Sequence, residues 1–314
     1  MALTIGQMAA ASFPAVLALK RKAENQWTDN SAMQALEDKG FVMRKPGGPT
    51  IEVPADYQAN QGAAFQDFAL DPLAMGATEF LTALSYTPAQ LSVPAVWKRA
   101  DETQNPTENQ KIAFVKNLHE NAINSHDDKI ERAIFATTTN GFLGLGTIVP
   151  TSGQGTVGGV SAVTETWHRN PTGTYLDDGT DMQAQLGAVY NSAAKGSGSE
   201  SVSKIILADG ATYNLFEGTQ AALQRWNDTQ TMKAGALKLM FKTAQWEFSQ
   251  FASTTIWMLT PKAVKLVFFN GAFRDKDEDM PTPGAQGRYF TLFTMGQFVA
   301  VNKSRAGVLT VTAS

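Results

Sequence analysis

The sequence predicts an α+β fold, and three observations carry that expectation. A helical hydrophobic pattern persists for some thirty residues after Asn105. Strand-like runs cluster before that helix and again over the last sixty residues, with the short apolar run 204–208 set between two helical stretches. With 314 residues, 43% hydrophobic and 18% charged, the chain has ordinary globular composition and enough length for a sizeable core.

The first 45 or so residues read as an arm with short helices. Pro14 suits the first turn of one, with Val16, Ala23 and Trp27 on a rough stripe. A second runs from Asp29 or Ser31 to Asp38 and is ended by Gly40. Neither is long enough to bury much alone, so this arm is expected to lie against something else.

From Pro46 to about Arg99 the chain turns to prolines, glycines and short extended runs. Thr50, Ile51, Glu52 and Val53 alternate, and Pro54 places them on a sheet edge. Residues 90–97 form a second run interrupted by Pro94. The two are expected to make a projecting hairpin, marginal by itself and covered by another chain.

The long helix follows. Asn105 is a good N-cap, Pro106 fits the first helical position and Glu108 completes a capping-box-like spacing. Ile112, Val115, Leu118, Ala122, Ile123, Ile130, Ala133 and Ile134 share one broad face to about Ala136, a strut of roughly 45 Å.

Beyond it, Gly141, Gly144, Gly146, Gly153, Gly155, Gly158 and Gly159 lead to Trp167, His168, Arg169 and Asn170. Residues 181–194 read as a helix broken by the run 196–199, 204–208 as a buried strand and 212–226 as a further helix. The end is β-rich, with strands expected at 254–259, 263–269, 289–293 and 298–302 and a charged loop at 275–279. No internal repeat of fixed period is present.

Composition excludes several chemistries. Without cysteine there is no disulfide framework, thiolate nucleophile or cysteine-bound zinc. The apolar run 8–19 is followed by its positive charges, Lys20, Arg21 and Lys22, the reverse of a signal peptide, and a soluble chain is expected. A net charge of −3 gives no basic field for tight nucleic-acid binding, and suits many copies packing side by side.

No catalytic, cofactor-binding or metal residue is assigned. His119 and His126, seven apart on one helix face, lack the spacing of a zinc-peptidase helix and read as ordinary, partly exposed histidines. His168 alone leaves little for a Ser-His-Asp triad. The glycines of 141–159 follow a helix and lack a closing Gly-Lys-Ser/Thr, so they read as turns at a domain junction. Asp177, Asp178 and Asp181, like 275–279, match no EF-hand loop and read as solvated. Trp246, Phe248, Phe251 and Trp257 read as core or subunit interface.

The order of elements, with the run 141–150, then Thr156, Val157, Gly158, Gly159, then Thr166, Trp167, His168, Arg169, Asn170, resembles the major capsid proteins of tailed bacteriophages. The segment from Met295, Gly296 and Gln297 through Asn302, Lys303, Ser304 and Arg305 to Leu309 is similar to theirs as well. That fold is shared with encapsulins and the herpesvirus capsid floor.

The resemblance implies an N-terminal arm at 1–46, an extended hairpin loop with its lead-in at 47–104, a peripheral domain with a spine helix at 105–142 and 262–302, and an axial α/β domain at 143–261 and 303–314. It implies a non-enzymatic shell subunit that forms hexamers and pentamers around double-stranded DNA, without sequence-specific binding and without a membrane. Portal and scaffolding proteins, and cement or decoration proteins, would be partners. The place would be the virion head, assembled in the host bacterial cytoplasm. Some relatives crosslink through lysine and asparagine; spacing does not assign that role to Lys98, Asn270 or Asn302. An encapsulin-like compartment shell is the alternative reading, and a hydrolase or nucleotide-binding enzyme using the glycine-rich loop is the second.

Overall fold

A computed structural model of the chain describes residues 31–58, 79–104, 108–136, 141–194, 202–224, 239–277, 280–281 and 287–313. The expected arm helix after Pro14, the cap at Asn105 and Pro106, the stretch 59–78 between the hairpin strands and the break at 196–199 lie outside these residues.

Helix α1 (Ser31–Asp38) ends as its sequence demands. Gly40 takes φ +78°, its amide bonds to Glu37 O and the Phe41 amide reaches back to Leu36 O at 2.9 Å, a Schellman close in which buried Phe41 covers buried Leu36. The chain then enters β1 (Val42–Lys45), which pairs in parallel with residues 266–269. The segment read as an arm is therefore built, from Ser31 onward, into the body of the protein.

Strand β2 (Ile51–Asp56) pairs antiparallel with β3 (Leu81–Tyr86), Ile51 facing Tyr86 and Asp56 facing Leu81. The hairpin exists, but its second strand is not the expected run at 90–97. That run belongs to β4 (Ala89–Lys98), which pairs over ten positions with the late strand 287–300. β4 carries apolar side chains on alternate positions, and buried Ala95 and Trp97 pack with Phe290 and Leu292, whereas the alternating Ile51, Val53 and Ala55 of β2 join the main core. Pro94 is tolerated because β4 has only one neighbour, as expected of a proline-bearing edge strand.

After α2 (Arg99–Gln104), helix α3 (Glu108–Phe135) runs for 28 residues, about 42 Å. Ala122, His126, Ile130, Ala133 and Ile134 are buried along one side, against β4 and the late strand. The short α4 (Leu145–Ile148), the two-residue strands β5 (Thr156–Val157) and β6 (Val160–Ser161), and a 3-10 turn at Thr166–His168 carry the glycine-rich stretch to β7 (Thr172–Leu176). Then come α5 (Met182–Ala193), β8 (Ile205–Ala208), α6 (Gly210–Gln224), β9 (Met240–Phe241), β10 (Ala244–Phe248), β11 (Ile256–Leu259), β12 (Val264–Phe269), β13 (Asp275–Lys276), β14 (Met280–Pro281), β15 (Gly287–Ala300), a 3-10 turn at Lys303–Arg305 and β16 (Gly307–Thr312).

Two six-stranded sheets organise these elements. In the first, β12, β13 and β14 line one edge of β15 and β4 lines the other, with β1 outside β12. In the second, the order is β7-β16-β11-β8-β10-β9. Alternate residues of β8 face opposite ways: Ile205 and Leu207 join the main core, while Ile206 and Ala208 join a second core under α5 and α6. Burial on both faces explains why β8 and β11 are continuous apolar runs without alternation.

The expected strands at 289–293 and 298–302 are one 14-residue strand. Gly296, between the two expected strands, sits where a Cβ would collide with Val267 O and come within 2.8 Å of the Phe268 ring. It is a point of close backbone approach, not a turn. Part of the charged loop is also strand: Asp275 and Lys276 extend the edge of β15 opposite Phe293 and Leu292.

Candidate assembly surfaces

Among the described residues, the hairpin β2–β3 is anchored at its root. Ile51, Val53, Leu84 and Tyr86 are buried in the main core, each large apolar side chain contributing on the order of 1.5–3 kcal/mol. Burial fades toward the outer end, where Phe80 is 53% and Leu81 59% exposed. The root of the hairpin is thus part of the protein's own core, stronger than the marginal two-stranded ribbon expected, while its outer end shows bare apolar surface.

The glycine-rich stretch braces that root. Gly158 (φ +61°) and Gly159 (φ +83°) form the two-residue turn between β5 and β6, a conformation of the mirror-image kind that glycine favours. Gly158 O accepts from the Ser85 amide at 3.0 Å, and a Cβ on Gly158 would stand 2.8 Å from Leu84 Cβ. Of the glycines read as turns, Gly158 and Gly159 form one, which rests on β3, while Gly146 lies inside α4. Asn170 and Arg169 tie down the same stretch: Asn170 Nδ2 donates to Pro150 O, and Arg169 donates to Ala162 O and Val163 O.

Helix α3 is clamped to β15 through His126, which is fully buried and not the partly exposed residue expected. Its Nε2 shares a 2.7 Å hydrogen bond with Thr294 Oγ1, and its Nδ1 a 2.9 Å bond with Asp127 Oδ1. Arg274, in left-handed backbone (φ +52°), gives its amide to Thr294 Oγ1 and its guanidinium to Asp127. Burial raises the Asp127 pKa, but the hydrogen bonds from His126 and Arg274 and their charges outweigh it and hold the carboxyl below the usual range. His119 instead packs against Phe290, with ring centres 5.6 Å apart. With both His126 nitrogens engaged, the two histidines do not jointly face an open ligand position. Among the described residues no group of three or more His, Asp or Glu is placed to hold a metal.

Three further buried ionisable groups gave no sequence signal. Glu131 receives the Ser249 hydroxyl at 2.7 Å, and its pKa is raised by burial. Lys303 is 0% exposed and donates from Nζ to Gly155 O at 3.2 Å; burial lowers its pKa to about 8. His168, equally buried, is pushed down to about 4, first by burial and then by the Lys303 charge. Their partners lie far away in sequence, beyond the reach of any spacing motif.

Asp178 accepts from the amide and hydroxyl of Thr180, and Asp181 from the Leu176 amide, so both carboxylates read as solvated loop groups hold local turns. Trp246 and Trp257 are core, while Phe248 is exposed. Asn302 caps the last 3-10 turn by accepting from Ser304.

One surface cleft is strongly basic. Of about 570 Å³, it is bounded by Lys39 after α1, by Asp56 at the end of β2, by Lys204, by Lys262 and Lys265 around the start of β12, and by Arg305. Trp167, stacked on Tyr57 with ring centres 5.7 Å apart, forms part of its wall. No helix among the described residues is long and apolar enough to cross a membrane.

Solved structures that share this arrangement include phage capsids and an encapsulin. The capsid subunit of Cyanophage A-1(L) superposes with a TM-score of 0.68 at 14% identity, over 92% of this chain and 94% of that one. The Mycobacterium phage Adephagia structure gives 0.55 at 12% identity, over 96% and 98%. The SrpI encapsulin of Synechococcus elongatus gives 0.57 at 10% identity, over 98% and 95%. No protein-family model and no curated protein sequence matches the chain. At these identities the likeness is one of fold, and the chain has the fold common to phage capsid subunits and encapsulins along nearly its whole length.

Proposed function

We propose that this chain is the major capsid protein of a tailed bacteriophage, a non-enzymatic subunit that self-assembles into hexamers and pentamers of an icosahedral head around double-stranded DNA. The observation that carries this reading is the hairpin: its root is locked into the main core while Phe80 and Leu81 toward its outer end stand bare, apolar surface of the kind a neighbouring subunit covers. The near-complete overlap with capsid subunits supports it.

In this reading residues 1–46 are the arm, 47–104 the extended loop and lead-in, 105–142 with 262–302 the peripheral domain, and 143–261 with 303–314 the axial domain. The two sheets support the separation of the last two parts, since β12 to β15 fall in one and β7 to β11 with β16 in the other, while β1 and β4 join the first sheet from the arm and the extended loop. A portal, a scaffolding protein and cement proteins complete the head, which forms in the host cytoplasm. Negative-stain microscopy and sedimentation of the purified protein test the reading: closed particles or capsomer rings are expected, and a monomer under all assembly conditions would sink it.

The encapsulin likeness favours one alternative, a compartment shell enclosing an enzyme. The contents of particles isolated from the native source separate the two: nuclease-protected double-stranded DNA marks a capsid, a single abundant cargo protein a compartment.

A further inference from the structure

The basic cleft is an electrostatic imbalance within one subunit. Five cationic side chains, Lys39, Lys204, Lys262, Lys265 and Arg305, line it against the single carboxylate of Asp56. Lys39, Lys204, Lys265 and Arg305 are half-buried, and among the described residues none of these four is in an ion pair. Arg305 Nη1 is enclosed without an acceptor. Converging like charges in a partly dehydrated cleft repel one another, and an enclosed guanidinium nitrogen without a partner is unfavourable, so the cleft is arranged for an anionic occupant.

The chain carries one stretch of matching character. Residues 275–279 hold four carboxylates, Asp275, Asp277, Glu278 and Asp279, against one lysine. Asp275 and Asp277 are exposed, and among the described residues neither is in an ion pair. Asp275 and Asp277 do not reach the cleft of their own subunit. Asp275 lies beside Phe293, whereas the cleft begins at Val301, eight residues further along β15, or about 26 Å at 3.3 Å per residue.

We infer that Asp275 and Asp277 of one copy dock in the basic cleft of the next. The donor residues flank the middle of β15 and the acceptor cleft lies past its C-terminal end, so two different patches meet and the contact is head-to-tail, the type that closes into rings. Complementary charge would also set the register of neighbouring subunits and speed their encounter. The inference rests on the shell reading and adds to it which surfaces meet.

The absence of native cysteine makes a direct test simple. Lys265→Cys and Asp277→Cys are made separately and together, and the proteins are treated with a short bis-maleimide linker before and after assembly. Docking predicts linked dimers from the assembled mixture of the two single variants, and a ladder of multimers from the double variant. In parallel, the pairs Lys204→Glu with Lys265→Glu, and Asp275→Lys with Asp277→Lys, should each lower assembly yield at least about tenfold, and the four changes together should restore it to within about threefold. Shells that form normally without linked products, or a cleft reversal that the acidic-stretch reversal fails to rescue, would overturn the docking while leaving the shell reading intact. Failure of the unmodified protein to form any ring or shell would overturn both.

Discussion

The Tyr86 hydroxyl donates to Ala300 O at 3.0 Å and accepts from the Ala300 amide at 3.2 Å, joining the root of the hairpin to the last residue of β15 across 214 positions of sequence. Burial raises the phenol pKa well above its ordinary value, so it acts only as a neutral hydrogen-bonding group. Tyr86→Phe keeps the ring and leaves two buried backbone groups short of a partner. Chemical denaturation should show a loss of about 1–3 kcal/mol with little change in m-value.

Gly158 and Gly159 separate backbone strain from collision. Gly159→Ala meets nothing within 4 Å and should cost only the left-handed penalty, about 1 kcal/mol. Gly158→Ala adds a methyl 2.8 Å from Leu84 Cβ and 3.0 Å from the Tyr86 ring, and should cost roughly 1–3 kcal/mol more. Equal losses in thermal unfolding would show that the turn does not brace the hairpin. An enzyme reading of the same loop would instead require an activity lost with the oligomer intact.

Acid should destabilise the protein through His168. Its folded pKa of about 4 lies below its unfolded value near 6.5, so between those values the unfolded chain binds more protons. Stability is therefore full above about pH 6.5 and is lost as pH falls toward 4, by up to about 3 kcal/mol. A His168→Asn variant should lack that increment. Lys303→Met, which removes the second cause of the shift, should raise the pKa of His168 and narrow the window, as followed by NMR titration.

The bare end of the hairpin should matter to assembly and not to folding. Phe80→Ser with Leu81→Thr alters two exposed side chains without setting a charge opposite Asp56, so the free energy of chemical denaturation should stay within about 0.5 kcal/mol of the unmodified protein. Particle yield in sedimentation should fall sharply. Normal yield would show that the outer end is not an interface.

Helix α3, the Gly40 stop, the buried strand β8 and the turn at Gly158–Gly159 were legible because each is written in adjacent residues: a 3.6-residue period, a left-handed glycine, an apolar run, a glycine pair. The strand pairing was not. Residues 51–56 and 90–97 both look like proline-bearing edge strands, and nothing local distinguishes a partner 30 residues away from one 200 away. The continuity of β15 through Gly296 was hidden for the same reason, since the role of that glycine is set by the backbone of β12 across the sheet and not by its neighbours in sequence.

By itself, then, the sequence determined a cysteine-free α+β protein with a long strut helix, a hairpin and no local signature of catalysis. Tertiary structure alone decided that the hairpin is rooted in the core through Tyr86 and Ala300, that His126, His168 and Lys303 are buried, and that five cations converge on one cleft. The division follows from the range of the forces involved. Periodicity and capping act within a few residues, whereas burial, charge convergence and strand register depend on which distant segments fold against one another.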